Sequence, residues 1–295
     1  PIKMTLVPEI TDMEMPVEGV FHNLVIARIQ KEYAGQGQKV MNAMWGAGQM
    51  MFNKILVLTG KPSTSGEETF GLSNYKELAK DVFKNLNPST DIYFSQGPMD
   101  VLDHSCSKLG FGGKMCIDGT WKFEEEKEEQ SPNETIIFDK QELSGKYPEI
   151  IKINDQLLAI NVPCVIISIK KNRVGHVKEI HQQIAASVTG IKMILYVESS
   201  VDANDLPVAL WRFCNNVDPR RDSILHNNCM GFDGTIKTKE LDNFQRDWPN
   251  IIVAAPETIE AVDKKWNDLG IGEFVPSPSL KFRDQLYGRE AVASV

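Results

Sequence analysis

The stretch Lys54-Ile55-Leu56-Val57-Leu58 has a counterpart in Lys192-Met193-Ile194-Leu195-Tyr196. Each is a lysine followed by an unbroken apolar run of strand length, the pattern of a strand buried on both faces. The surroundings match in the same order. Asn85-Leu86-Asn87-Pro88-Ser89-Thr90-Asp91 is answered by Asn216-Val217-Asp218-Pro219-Arg220-Arg221-Asp222, and Ile117-Asp118-Gly119-Thr120 by Phe232-Asp233-Gly234-Thr235. A further apolar run follows at equal distance, Ile136-Ile137-Phe138 against Ile251-Ile252-Val253, and reads as a strand in each. Residues 22–123 and 160–240 therefore read as one unit written twice.

In the first unit, residues 24–29 form an apolar strand, and Gly35-Gln36-Gly37 is a loop. Val40, Met44, Ala47/Gly48 and Met51 recur at helical spacing. After the strand at 55–58 comes a Gly/Ser/Thr-rich loop at 61–71. Tyr75, Leu78, Ala79, Val82 and Leu86 mark a helix stopped before Pro88, and 92–94 is a third strand. The second unit repeats this with strands at 165–169, 193–197 and 223–225. Its helices carry Val177, Ile180, Ile184 and Val188, then Leu206, Ala209, Leu210 and Phe213. Apolar strands alternating with helices predict an α/β fold. It consists of two tandem related β-α-β-α-β units, each a largely parallel sheet flanked by helices with right-handed crossovers. The expected division is residues 1–130 for the first copy with its long loop. Residues 131–295 hold the degenerate second copy, a final helix opened by Pro256 and capped by Gly270, and an extended tail.

With 295 residues the chain can hold two domains of ordinary size, and its mixed composition is that of a globular protein. A net charge of −8 argues against nucleic acid or an anionic membrane as partner. No apolar run reaches membrane-spanning length, so no integral membrane contact is expected. Five cysteines with no CxxC pair point to a reducing, cytoplasmic setting rather than a disulfide framework or zinc site. The start at Pro1 is no signal peptide and lacks Met, as a piece of a longer chain would. Asn133-Glu134-Thr135 is a chance sequon in that setting, and the acidic run at 124–134 reads as a solvated linker.

The densest polar set is Asp100-Val101-Leu102-Asp103-His104-Ser105, running on to Gly110-Phe111-Gly112-Gly113-Lys114. Carboxylates, a histidine, a lysine and glycines in one long loop suit the wall or lid of a site. A solvated surface loop is the plain alternative. The second unit lacks this segment: Asp91 to Asp118 spans 27 positions, Asp222 to Asp233 only 11. A segment dispensable in one unit reads as functional in the other. Arg220 and Arg221 replace Ser89 and Thr90 in the second unit. They form either an anion clamp, with Lys114 a candidate for the same role, or a turn whose arginines pair with neighbouring acids. The latter is the preferred reading. His22-Asn23 reads as structural. No GxSxG, HExxH, P-loop or kinase motif is present. No glycine turn for phosphate joins a strand to a helix, which disfavours a stand-alone nucleotide-binding domain.

Pro16-Val17-Glu18-Gly19-Val20-Phe21-His22-Asn23-Leu24-Val25 resembles the UbiD family of prenylated-flavin-dependent decarboxylases. Matching stretches follow in order. They are Trp45-Gly46-Ala47-Gly48-Gln49-Met50-Met51-Phe52-Asn53-Lys54, then Asp100-Val101-Leu102-Asp103-His104, then Gly112-Gly113-Lys114-Met115 with Ile117-Asp118-Gly119-Thr120. The Asp218-to-Asp222 element and the tail from Pro276 to Gly288 match as well. The resemblance is to the C-terminal region only. It implies a lid and oligomerisation part of a carboxy-lyase acting on an aromatic or α,β-unsaturated acid, with quinone precursors the commonest association. Prenylated FMN, a divalent metal and the catalytic residues are expected in a flavin domain outside this sequence, so no catalytic or metal-binding residue is assigned here and no cofactor is expected on this fragment alone. By position, Phe52, Asn53, Leu102, Asp103 and His104 are the implied substrate-wall residues, with the first unit facing the site. Partners implied are that flavin domain and a second copy of the chain in a homo-oligomer. A pure assembly module is the alternative.

Overall fold

The structure, a computed structural model, describes residues 2–60, 70–127 and 135–287. Most of the loop expected at 61–71, the end of the acidic linker and the Asn133 sequon lie outside the described residues. The chain divides into two compact units, Pro1–Phe244 and Gln245–Val295.

The larger, Pro1–Phe244, holds two five-stranded mixed sheets built alike, each with its helices a repeat unit, the first and second unit in chain order. A short helix α1 (Ile2–Thr5) leads to β1 (Ile10–Glu14) and β2 (Leu24–Ile29). Then come α2 (Gln36–Trp45), β3 (Ile55–Thr59), α3 (Tyr75–Asn85), β4 (Ile92–Pro98) and β5 (Phe111–Asp118). The second set is α4 (Lys140–Lys146), β6 (Ile150–Asn154), β7 (Cys164–Ile169), α5 (His176–Ser187) and β8 (Met193–Glu198). It continues with α6 (Leu206–Asn216), α7 (Pro219–Asp222), β9 (Ser223–His226) and β10 (Cys229–Asp233). A one-turn helix α8 (Lys239–Asp242) closes this unit. The sheet orders are β1-β2-β3-β5-β4 and β6-β7-β8-β10-β9. In each, the three central strands are parallel and the two outer ones antiparallel.

The α/β class and the paired β-α-β units are as expected, and the differences lie at two sheet edges and in the interior strand β5. β1 and β6 escape an apolar-run reading because each is an edge strand with mixed polarity. Ile10 is buried while Thr11, Asp12 and Met13 face solvent. The run Ile136-Ile137-Phe138 makes only an isolated bridge, Ile137 with Thr189, and 251–253 lies in no strand. The largest change concerns Gly112, Gly113 and Lys114. They belong to β5, a central strand whose residues from Gly112 to Asp118 are all buried, and not to a loop. The loop between β4 and β5 is thus residues 99–110. In the second sheet the same hairpin closes in two residues, Asn227 and Asn228, with φ of 47° and 54°. That is the type I′ geometry asparagine tolerates and that matches strand twist.

Each sheet buries its own core. Val25, Ala27, Leu56 and Leu58 pack with Val40, Met44 and Cys116 in the first. Val165, Ile167, Ile194 and Tyr196 pack with Ile180 and Ile184 in the second. Burial of each large apolar side chain contributes roughly 1.5–3 kcal/mol. Matching caps start the matching helices: Asn74 accepts from Glu77 N before α3, and Asp205 from Val208 N before α6.

Polar residues repeat with equal fidelity. Lys122 lies 3.2 Å from Asp91 and 3.4 Å from Asp118. Lys237 lies 3.7 Å from Asp222 and 3.2 Å from Asp233. In both units the threonine of Asp-Gly-Thr donates to its aspartate. These paired lysines lock the end of the central strand to the turn after the second helix. Part of the acidic linker is also structural: Glu126 takes two 2.8 Å hydrogen bonds from the fully buried Lys31 ammonium.

The smaller unit contains α9 (Pro256–Leu269) and a 3-10 stretch, Pro278–Gln285. Gly270 ends α9 at φ 63°, as the capping glycine requires. Ile259, Val262 and Trp266 lie along one face of α9, half-buried, and no residue of the helix is fully buried.

Candidate functional site

The two units meet by reciprocal contacts. Lys54, at the entry of β3, reaches the carbonyl of Asn215 at the end of α6. Lys192, at the entry of β8, donates to the carbonyls of Phe83 and Leu86 at the end of α3, at 2.7 and 2.6 Å. Gly113 N donates to Asp218 Oδ2, while Ser89 donates across to Asn228 Oδ1. Equivalent positions thus touch from both sides, as a two-fold relation between the units demands.

The 99–110 loop fills one of the two resulting seams. Asp103 is fully buried, 2.8 Å from the equally buried Lys54 ammonium. Ser105 N donates to Asp103 Oδ1, and its hydroxyl lies within hydrogen-bond reach of that same oxygen and of the Val217 carbonyl. Burial alone would raise the Asp103 carboxyl. The Lys54 ammonium and its hydrogen bond, helped by Ser105, hold it below the usual range instead. His104 Nε2 pairs with Asn216 Oδ1 at 3.1 Å. Desolvation drops its pKa to about 4, so the imidazole is neutral near pH 7. Asn216 in turn donates to Glu198, the ion-pair partner of Arg212.

Asp103 therefore lies beneath the surface and His104 is half-buried, and both join the loop to the second unit. Asn53 is also buried, its amide donating to the carbonyls of His22 and Ile55. Lys114 sits behind the Gly48–Phe52 turn and donates to Met51 O and Asn53 O at 2.6 and 2.8 Å. Desolvation lowers its pKa to about 8.

Arg221 is committed to the same seam. It pairs with Asp222 at 2.7 Å, donates to Ser105 O at 2.7 Å and stacks 5.1 Å over the Phe244 ring. Arg220 is exposed, and its backbone N–H is capped by Asp218. The loop of the first unit and the arginine turn of the second, separate in sequence, are thus two sides of one joint. The glycines of the motif serve that joint: a Cβ on Gly113 would fall 2.1 Å from Asp218 Oδ1 and 2.7 Å from Arg220 N.

What remains exposed forms a contiguous patch. Leu102 N caps onto Asp100 Oδ1, and Asp100 Oδ2 lies 3.5 Å from His22 Nδ1. The His22 ring lies 5.8 Å from that of Phe52 and 6.0 Å from that of Phe21. Leu102 is 84% exposed and Phe21 75%. Val20 and Phe21 have φ of 41° and 63°, uncommon for a β-branched and an aromatic residue. Sequence reasoning set His22 aside as structural, and it sits at the centre of this patch. The one local signal was its place in a run of turn and apolar residues with no helical or strand period. Among the described residues no three His, Cys, Asp or Glu side chains converge as a metal set.

The family model for the 3-octaprenyl-4-hydroxybenzoate carboxy-lyase C-terminal domain matches residues 1–119 and 137–242, the two structural units in turn. The chain belongs to the UbiD C-terminal domain family. Among curated relatives, a Helicobacter pylori (strain J99) protein is 30% identical over 269 residues, covering 90% of this chain and 41% of that protein. An Archaeoglobus fulgidus protein is 35% identical over 140 residues, 47% of this chain and 28% of the relative. The UbiD-type chain thus spans about two-fifths of the length of the Helicobacter relative. Solved structures that resemble part of it include the open form of vanillic acid decarboxylase from Sedimentibacter hydroxybenzoicus (TM-score 0.37, 20% identity, 49% of this chain and 29% of that one). Another is the UbiD-class enzyme HmfF from Pelotomaculum thermopropionicum in complex with FMN (TM-score 0.34, 18% identity, 44% and 28%).

Proposed function

We propose that this chain is the lid and wall of a UbiD-type carboxy-lyase that decarboxylates an aromatic or α,β-unsaturated acid. The observation that carries the reading is family membership across both units, joined to an exposed apolar patch on a buried polar mount. Phe52 and Leu102 supply apolar surface for a ring or conjugated chain, and His22 and Asp100 supply a polar rim. Asn53, Lys54, Asp103, His104 and Lys114 act as positioning residues beneath them. Such a mount keeps wall side chains fixed when a second domain closes, and closure excludes water. The described residues of this chain do not fit a divalent metal. Flavin and metal belong, in this reading, to another part of the full-length protein, where prenylated FMN would supply the electron sink.

The test compares the 295-residue chain with the full-length protein, each supplied with prenylated FMN and a panel of aromatic and cinnamic-type acids. The fragment is expected to release no carbon dioxide, and the full-length protein to turn over at least one acid. Leu102→Asp in the full-length protein should lower kcat/KM about tenfold or more, ~1.4 kcal/mol, with Tm unchanged. Turnover by the fragment, or full activity of the variant, would refute the reading.

A second role is assembly. The apolar stripe of α9, with none of its residues fully buried, favours a C-terminal segment that packs on another copy of the chain.

A further inference from the structure

The two-fold relation makes two seams, and the described residues fill only one. Where the first hairpin inserts residues 99–110, the second closes at Asn227-Asn228, and the equivalent space is open. It forms a cavity of about 1070 Å³ between the end of α3, the β9–β10 turn and the segment leading into β8. Lys192 lies in its wall at the position that Lys54 occupies in the closed seam.

The difference between the two lysines is chemical. Lys54 has Asp103 at 2.8 Å. Lys192 donates to two carbonyls, and among the described residues no carboxylate pairs with it. The acid with the main electrostatic effect on it is Asp91, which is already held by Lys122 at 3.2 Å. Lys192 is half-buried, and desolvation depresses its pKa, the condition of a cation lacking its counter-ion.

The rest of the wall is consistent with one kind of occupant. Lys80 and Lys84 also line it, and among the described residues no aspartate or glutamate does, in a chain whose net charge is −8. Lys80 is partly offset by Glu77 at 2.8 Å. Phe83, Leu158, Ile160 and Val188 give it an apolar side. Its volume lies just above the usual span of small-molecule sites, about 300–1,000 Å³.

We infer that this open seam binds an apolar-bodied carboxylic acid, whose carboxylate takes the place on Lys192 that Asp103 takes on Lys54. The site lies at the joint of the two units, so occupancy stiffens the joint from the side opposite the 99–110 loop. It is separate from the exposed patch of Phe52 and Leu102 and does not depend on the function assigned to that patch.

The probe is 4-phenylbutyrate, titrated into the 295-residue chain by calorimetry, with 4-phenylbutanol as the uncharged control. Saturable binding is expected, with the alcohol at least about tenfold weaker. Lys192→Met should lose about tenfold or more in affinity. The exposed Lys84→Gln, which carries no packing role, should lose a few-fold while leaving Tm unchanged. It keeps the proposal testable if Lys192→Met does not fold. Methyl resonances of Leu158, Ile160 and Val188 should shift on binding. Three results would overturn the assignment: no saturable binding up to about 10 mM, affinity unchanged in both lysine variants, or shifts confined to the Leu102 face. Displacement of the probe by a capped Val-Leu-Asp-His-Ser peptide at lower concentration would also overturn it, since a protein segment would then be the occupant.

Discussion

Lys54 shows how much of this protein rests on one charge. Its ammonium and the Asp103 carboxylate are both at 0% side-chain exposure. Forming such a pair gains little net stability, but removing one partner strands the other in low dielectric. Asp103→Asn and Lys54→Met should each cost about 3–5 kcal/mol. The double variant should cost less than the sum, read from urea midpoints. Two buried histidines set the acid response. His104 and His181 both have pKa values lowered to about 4 by desolvation. The unfolded chain binds their protons near pH 6.5, and the folded chain does so only near 4. Their contribution to stability is therefore flat above about pH 6.5 and falls as pH drops from there towards 4. Each histidine contributes at most roughly 3 kcal/mol to that fall. Melting curves from pH 7 to 4 should show the decline, and His104→Gln should shallow it. The sequence listed Asp103 and His104 as wall residues from their place in a motif. It could not show that Lys54 and Asn216, which are far off along the chain, lie over them.

At the scale of elements, the central strands and long helices were legible because their side-chain periods report burial directly. Apolar runs at 24–29, 55–58 and 193–197 became β2, β3 and β8, and the stripe from Tyr75 to Leu86 became α3. The edge strands β1 and β6 were not legible, since their exposed polar side chains interrupt the apolar run, whereas β4 and β9 at the opposite edges were read at 92–94 and 223–225. β5 was hidden for another reason. Its glycines suggested a flexible loop, but a Cβ has no room at either: Cys106 of the 99–110 loop blocks it at Gly112 and the second unit blocks it at Gly113. Gly113→Ala would push a methyl into Asp218 and the Arg220 backbone. It should cost about 1–3 kcal/mol, seen as a lower urea midpoint. The same substitution at Gly145, where a Cβ meets nothing within 4 Å inside α4, should be stabilising by about 0.5–1 kcal/mol.

At the scale of the whole molecule, the repeat in the sequence becomes a joint with two unequal seams. One is sealed by the 99–110 loop and the Arg221 turn, and the other is open at Lys192. The C-terminal segment adds an apolar stripe at Ile259, Val262 and Trp266. If that stripe packs on a second copy, Trp266→Asp should shift the mass in light scattering from dimer to monomer, with the fold of residues 1–244 intact by circular dichroism. A monomer before mutation would remove this role. The sequence by itself determined the α/β class, the pairing of the units and the family, because these depend on local periods and on motifs contiguous in the chain. Only the tertiary structure decided which polar residues are surface and which are mortar. The placement of Asp103, His104 and Lys114 depends on residues 49 to 112 positions away, and no local pattern encodes contacts at that range.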